Sequence, residues 1–142
     1  MNVQQVSIFI EHVPGTLHKV VKSLMENDIH IRAFSVAELG GIDVMRLIVD
    51  NILWTASHLK TLGYPATFTE VVIVSIPNSA ERFCKVLEIM RNAGINIEYS
   101  YSLVLGNLEA GYVFETDDSA KAADALDSAG IHVITQEELQ TL

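Results

Sequence analysis

The sequence predicts an α+β protein built from two similar halves, each with the element order βαββαβ. Two observations lead to this prediction. The apolar pattern of the first half recurs 66 residues later. Within each half, segments of alternating apolar residues, typical of strands, flank segments with apolar residues three and four positions apart, typical of helices. The length of 142 residues allows one ordinary domain or two very small ones.

The internal repeat extends over nearly the whole of each half. Exact identities are few, but the apolar positions match almost throughout, and the segment 26–31 (ENDIHI) falls on 92–97 (NAGINI). An ancient duplication explains this better than chance. The apolar positions that align at the start of the two halves are Val6 with Val72, Ile8 with Val74 and Ile10 with Ile76.

The first half contains one unit of alternating strands and helices. Residues 5–10 alternate as a strand, Pro14-Gly15 breaks the chain, and a helix begins at Thr16. That helix carries one apolar stripe and ends at Asn27-Asp28. The stripe consists of Leu17, Val20, Val21, Leu24 and Met25, and the later elements are strands at 29–36 and 44–49, a helix over 53–62 and a fourth strand from 66.

The second half repeats this plan. Asp118 or Ser119 is expected to cap the second of its two helices, and Glu137-Glu138 is expected to lie in a solvated tail. The predicted elements are a strand at 71–76, a helix with Phe83, Val86, Leu87 and Met90 on its apolar stripe, a strand at 95–105, a hairpin turn at Gly106-Asn107, a strand at 111–116, a helix at 120–129 and a strand at 131–135.

The order βαββαβ is that of a ferredoxin-like unit, a four-stranded antiparallel sheet with two helices on one face. The predicted domains are residues 1–69 and 70–142. A core from about 70 residues is marginal by itself, so we expect the two units to pack together. The link at 68–70 is too short for a flexible linker, which predicts one rigid body.

Composition excludes several classes of function. The chain is 49% hydrophobic and has a net charge of −9, which argues against a nucleic-acid partner and against an anionic membrane surface. Cys84 is the only cysteine, so a disulfide framework and a multi-cysteine zinc site are excluded, and we expect it to pack within its helix. We also expect no leader peptide and no membrane span, and therefore a cytoplasmic protein.

The sequence contains few groups of residues that are typical of a catalytic or metal site. The five histidines form no metal-binding pair, and His18 and His58 are expected to be exposed polar residues. Tyr99 and Tyr101 alternate on one strand as RNA-binding aromatics do, but their neighbours are acidic. The sequence therefore predicts no catalytic residues, no metal site and no cofactor.

The residues 6–36 (VSIFIEHVPGTLHKVVKSLMENDIHIRAFSV) resemble an ACT domain: a strand, an x-x-P-G loop, an amphipathic helix and a second strand. Together with RLIVD at 46–50 and GINIEY at 94–99, the doubled order is similar to small proteins made of two ACT domains. The resemblance implies regulatory binding of a small molecule, usually an amino acid, at an interface of paired units. It further implies a homodimer and an unidentified regulated partner protein.

The resemblance also implies where the ligand binds. One site pairs the loop after the first strand with the start of the second strand of the paired unit. Carried over by position, this site consists of Glu11, His12, Val13, Pro14, Gly15, Thr16 and Leu17 in the loop, and Asn96, Ile97, Glu98 and Tyr99 in the strand. A second, weaker site consists of Asn78 and Ser79, with the neighbouring Pro77 and Ala80, facing His30, Ile31 and Arg32.

Physical chemistry supports the first loop as a site. A helix N-terminus presents N–H groups that suit an α-carboxylate, Gly15 allows close backbone approach, and Pro14 stiffens the loop. Carbonyls at 96–98 or the Glu98 carboxylate would accept from the ammonium group. The alternative is that Pro14-Gly15 is only an ordinary strand-to-helix turn.

Two departures from the family pattern predict unequal sites. His12 stands where the family usually has Asn or Asp, and Ala80-Glu81 replaces Pro-Gly in the second half. Glu81 would repel a carboxylate, so we expect the first loop to bind. The competing functions are an assembly module whose loops bind nothing and, less favoured, a small enzyme.

Overall fold

The computed structural model describes residues 2–142 and confirms the predicted fold class, two ferredoxin-like βαββαβ units. Residues 4–69 form one compact unit, and residues 70–142 form the other, together with Asn2 and with Val3, the first residue of strand β1. None of the helices formed by the described residues is both long and apolar enough to cross a bilayer.

The first unit contains three strands and two helices before the chain reaches the boundary. Its sheet places β3 between β1 and β2, antiparallel to both, and β2 is the last strand on that side. The elements are β1 Val3–Glu11, α1 Thr16–Glu26, β2 Ile31–Leu39, β3 Ile42–Val49 and α2 Ile52–Thr61, followed by β4 Thr67–Pro77, which runs through the boundary at 69/70.

The second unit repeats the arrangement in the strand order β7-β4-β6-β5, with every pair antiparallel. Strand β5 is the last strand on its side of the sheet, as β2 is in the first unit. After β4 the elements are α3 Ala80–Asn92, β5 Ile97–Val104, β6 Glu109–Thr116, α4 Ser119–Ser128, β7 His132–Val133 and α5 Gln136–Leu139.

The core of the first unit lies between the helices and one face of the sheet. Val20 and Leu24 of α1 are buried against Ile8 and Met45 of the sheet. Replacing a buried leucine such as Leu24 with alanine costs about 2–5 kcal/mol. Met25, predicted on the same stripe, is 65% exposed, because each helical residue is rotated by about 100° from the one before it.

The core of the second unit is built in the same way. Val86 and Met90 of α3 and Leu126 of α4 are fully buried, together with Val74 and Phe114 of the sheet. The Asp118 side chain accepts a hydrogen bond from the Lys121 backbone N–H, which confirms the predicted cap of α4.

Several predicted details are wrong. The strand predicted to begin at 66 and the strand at 71–76 are one continuous strand, β4, so residues 68–70 are not a connecting segment. Cys84 is exposed rather than packed. His58 is half-buried rather than exposed, and its Nε2 atom lies 2.8 Å from the Ser23 hydroxyl.

The C-terminal segment also differs from the prediction. Strand β7 covers only His132–Val133, and Glu137-Glu138 belong to helix α5 rather than to a solvated tail. A capping box begins this helix: the Thr135 hydroxyl accepts from the Glu138 backbone N–H, and the Glu138 side chain accepts from the Thr135 N–H. Leu139 is then buried, so this short helix is part of the packed structure.

Candidate functional site

The loop that joins β1 to α1 is a tight turn held by its own backbone. The Val13 N–H donates to the Glu11 carbonyl at 2.9 Å, and the Thr16 N–H donates to the Val13 carbonyl at 3.4 Å. Gly15 then adopts a φ of 93°, a conformation that residues other than glycine rarely adopt. This left-handed residue turns the chain directly into α1.

The first turn of α1 has no side-chain cap. Gly15 occupies the cap position, and no side chain accepts a hydrogen bond from the first backbone N–H groups. The first N–H groups of any helix lack intrahelical acceptors and carry a partial positive charge. In this loop, therefore, the helix start is open to an acceptor from outside the unit.

His12 is held beside this helix start by an acidic residue of β3. Its Nδ1 atom lies 2.7 Å from Oδ1 of Asp43, whose side chain is only 15% exposed, whereas the imidazole is 57% exposed. Because an ionised carboxylate only accepts hydrogen bonds, Nδ1 carries the proton of the neutral ring. The Nε2 atom is then an acceptor when the ring is neutral and a donor when it is charged.

The loop and the His12–Asp43 pair line one open depression of about 340 Å³. Its walls are the loop backbone at Pro14-Gly15 and the apolar side chains of Val13 and Leu17. The depression therefore combines apolar contact, a paired imidazole and an uncapped helix start. Such a mixture suits a small molecule with both an anionic and a donor group.

Glu11 does not line this depression. Its Oε2 atom accepts a hydrogen bond of 3.0 Å from the Tyr64 hydroxyl. Burial raises the pKa of Tyr64 above its usual value of 10.0, and the hydrogen bond to Glu11 and the negative charge of that carboxylate raise it further. Thr16 is half-buried at the helix start and also lies outside the lining.

The strand start predicted as the other half of the site belongs to the second unit. Asn96 and Asp117 hold each other: the Asn96 N–H donates to the Asp117 carboxylate at 3.0 Å, and the Asp117 N–H donates to the Asn96 carbonyl at 3.1 Å. The pairing of β5 with β6 shifts between Ile97 and Tyr99. Glu98 is therefore an exposed bulge residue.

The second loop is built differently from the first. Ser79 caps α3, because its hydroxyl accepts from the Arg82 backbone N–H at 3.1 Å, and Glu81 lies in the first turn of that helix. The Asn78 backbone N–H donates to the Leu108 carbonyl at 3.0 Å. The start of α3 thus already has a side-chain acceptor and an acidic residue in its first turn, and the start of α1 has neither.

The residues predicted to complete the second site are tied to an acidic neighbour. Arg32 forms a two-point ion pair with Asp50, with Nε–Oδ1 at 2.7 Å and Nη2–Oδ2 at 3.1 Å. His30 Nδ1 lies 3.3 Å from the same carboxylate. Ile31 pairs with Val49 at the shift in the β2–β3 register. Arg32 is therefore engaged within its own unit and is not a free cation.

Sequence reasoning missed Asp43, Asp50 and Tyr64. Asp43 stands opposite Ile10 in the antiparallel register of β1 and β3, which brings it to the end of β1 where the loop begins. Aligning the predicted strands 5–10 and 44–49 as an antiparallel pair would have indicated an acid beside His12. Among the described residues, no group of three or more His, Cys, Asp and Glu side chains could hold a metal ion.

Comparisons with known proteins relate this chain to a family. A family model described as an ACT domain pair matches residues 1–142. Protein BT0572 from Bacteroides thetaiotaomicron, a solved structure, is 29% identical, with a TM-score of 0.91 over 100% of this chain and 98% of that chain. No curated protein sequence matches.

Two further solved structures are regulatory subunits of aspartate kinase. The one from Thermus thermophilus has a TM-score of 0.67 and 19% identity, over 91% of this chain and 93% of that chain. The one from Thermus flavus has a TM-score of 0.61 and 17% identity, over 92% of this chain and 94% of that chain. At these identities the two subunits share the fold with this chain, and the likeness extends no further.

Proposed function

Because the chain belongs to the ACT domain pair family, we propose that it is a non-catalytic regulatory protein that binds an amino acid at its first loop. The observation that carries this proposal is the uncapped start of α1 behind Gly15, beside the His12–Asp43 pair and above an open depression. Two proteins of similar structure are regulatory subunits of aspartate kinase, which agrees with a regulatory role.

The α-carboxylate of the ligand would accept from the first N–H groups of α1. The partial positive charge of the helix start favours an anion there, and Gly15 adds no side chain between the backbone and the ligand. Its ideal Cβ position has no heavy atom within 4 Å, so the space over this residue is open. Pro14 limits the ordering cost of the loop.

The ammonium group would be received by acceptors. His12 offers Nε2 when its ring is neutral, and the exposed Glu98 and the carbonyls at 96–98 of a paired unit are the other proposed acceptors. Val13 and Leu17 would contact the ligand side chain. The proposal leaves the second loop as the weaker site, because Ser79 and Glu81 occupy the start of α3.

The proposal includes a cytoplasmic homodimer that acts on a partner protein. Strands β2 and β5 end the strand order and carry unpaired backbone groups, which favour pairing with another chain. A ligand can shift an assembly equilibrium only by its differential affinity for the two states. Light scattering is expected to give twice the 15.6 kDa of one chain. A monomer at high concentration would contradict this part of the proposal.

A thermal-shift panel of the common amino acids at millimolar concentration tests the function. A ligand at 100 times its Kd adds about 2.7 kcal/mol to the free energy of unfolding. At least one amino acid is expected to raise Tm. If none does, the protein is better described as an assembly module that binds no ligand.

The variant Gly15→Asp tests the position of the site. An aspartate at the cap position of α1 supplies its own carboxylate to the helix N–H groups, so the ligand shift is expected to disappear. Gly63→Asp is the matched control, because Gly63 has the same φ of 93° and open space over it, so this variant adds the same charge and the same backbone strain away from the loop. Retained binding in Gly15→Asp would move the site elsewhere.

Calorimetry tests the expected inequality of the two loops. The proposal predicts one tight site per chain. Two sites of equal affinity would refute the inequality while leaving amino-acid binding itself intact.

A further inference from the structure

A second hollow in the first unit lies between α1 and the connection from α2 to β4. It has a volume of about 260 Å³, below the range of drug-sized pockets, so it suits a small molecule. Val20, Leu62 and the Tyr64 ring supply its apolar wall, and Lys19 and Lys22 stand at its rim. None of these residues belongs to the loop depression described above.

The two lysines are cations without partners. Lys19 and Lys22 are exposed, and among the ion pairs of residues 2–142 neither has an acidic partner. They lie three residues apart on one helix face, where like charges repel. Glu26 also lines the hollow but forms no ion pair with them in the described chain. This is a local positive charge in a chain of net charge −9.

The second half of the repeat shows how this charge is otherwise neutralised. At the positions 66 residues later stand Lys85 and Glu88, which form an ion pair of 3.7 Å on α3. Lys22 thus occupies the position of Glu88. The first unit has two lysines at the positions where the second unit has a lysine and a glutamate that neutralise each other. An anion from solution can therefore neutralise Lys19 and Lys22 as Glu88 neutralises Lys85.

The hydroxyl groups of the hollow are already engaged. The Ser23 hydroxyl lies 2.8 Å from His58 Nε2, and the Tyr64 hydroxyl donates to Glu11. The donors left for a ligand are therefore the two ammonium groups. This arrangement favours a ligand that places a negative charge at the rim and a short apolar group inside the hollow.

We propose that this hollow binds a small organic anion, a carboxylate or a phosphate monoester with one short apolar group. Lys19 and Lys22 hold the anionic group, and Leu62 and the face of Tyr64 contact the apolar group. The site is separate from the loop of the proposed function, and either one can be present without the other.

Amide chemical shifts of the full chain, followed during titration with benzoate, phenyl phosphate and benzyl alcohol, test the proposal. Benzoate or phenyl phosphate is expected to shift the amides of Val20, Leu62 and Tyr64 in a saturable way, and the better of the two identifies the anionic group. Benzyl alcohol has a similar ring without the charge and is expected to bind far more weakly. Equal binding of benzyl alcohol, or no saturable shift at these amides, overturns the proposal.

Charge variants separate this site from general attraction of anions. Lys22→Glu reproduces the residue of the second unit and is expected to weaken binding at least about tenfold, whereas Lys22→Arg keeps the charge and the affinity. Lys85→Glu changes the net charge equally on α3 and is the matched control, expected to leave the affinity unchanged. Unaltered binding in Lys22→Glu, or an equal loss in Lys85→Glu, overturns the proposal.

Discussion

Replacing Gly15 with alanine tests whether the fold of the first loop depends on the left-handed backbone conformation of this residue. Gly15 has a φ of 93° and forms the junction between β1 and α1. Its carbonyl also accepts the Lys19 N–H at 3.0 Å, as part of the first helical turn. The substitution adds one methyl group and changes no charge.

The expected loss of stability follows from the backbone angle alone. No heavy atom lies within 4 Å of the added Cβ, so the methyl group meets no steric obstacle. Holding a residue other than glycine in a sparsely populated region costs about 1–3 kcal/mol. Alanine also reduces the entropy of the unfolded chain, which returns about 0.4–1 kcal/mol. The net loss is therefore about 1 kcal/mol.

Thermal unfolding measures this loss. Tm is expected to fall by about 2–4 °C if the whole chain unfolds as one, and by about 4–8 °C if residues 4–69 unfold by themselves. Gly106→Ala is the matched control, because Gly106 also has open space around its Cβ but no positive φ. That variant is expected to keep or slightly raise Tm.

An unchanged or raised Tm in Gly15→Ala, or an equal loss in Gly106→Ala, would contradict the expected cost of the backbone angle. The first result would mean that the loop relaxes without cost into a conformation that alanine accepts. The second would mean that the loss comes from replacing any glycine in a turn and not from the φ of 93°.

Three further predictions concern other contacts. Tyr64→Phe removes the hydrogen bond to Glu11. Because the pKa of Tyr64 is raised in the folded state, its contribution to stability is present below pH 10.0 and is lost as pH rises through the folded-state pKa. Unfolding experiments should therefore find the wild type more stable than the variant at pH 8, with a difference in stability that disappears at higher pH. Gly111→Ala should lower Tm more than Gly15→Ala, since its Cβ would lie 2.8 Å from the Leu103 carbonyl oxygen in the neighbouring strand; an equal or smaller loss would contradict this. Partial burial raises the pKa of Glu138, but hydrogen bonds from His132 and Thr135 outweigh this effect and lower the pKa overall. The stabilisation by the ionised Glu138 is therefore present above pH 4.5 and is lost as pH falls through the folded-state pKa. Acid titration should find Glu138→Gln less stable than wild type at pH 7 and equal to it at low pH.

The repeat and the apolar periodicities were sufficient to predict the two βαββαβ units. Burial of Val20 and Leu24 in the first unit, and of Val86 and Met90 in the second, follows directly from their helical spacing. The strand at the boundary between the two units was predicted less well, because it was divided into two strands. Strand β4 is continuous because residues 68–70 contain no proline or glycine to interrupt it.

The C-terminal helix α5 was missed for a different reason. Four residues carry too little periodicity to predict a helix. The signal that was present is the capping box, in which Thr135 stands three residues before Glu138. The two glutamates were interpreted by their charge alone, although Glu138 serves the helix start.

Local patterns of neighbouring residues are enough to predict the fold class, the family likeness and the position of the Pro14-Gly15 loop. The groups that surround the loop become visible only when the strands are paired. The antiparallel register of β1 and β3 brings Asp43 to His12 across 31 positions of sequence. Such a pairing depends on strand register and turn geometry, which no local pattern records.

The starts of α1 and α3 also differ in the structure. From sequence, the predicted inequality of the two loops depended on the bulk and charge of Glu81 alone. In the structure Ser79 caps α3, whereas the start of α1 has no side-chain acceptor. Gly15 has no side chain that could cap α1, whereas the extended backbone at Ser79 lets its hydroxyl reach the Arg82 N–H.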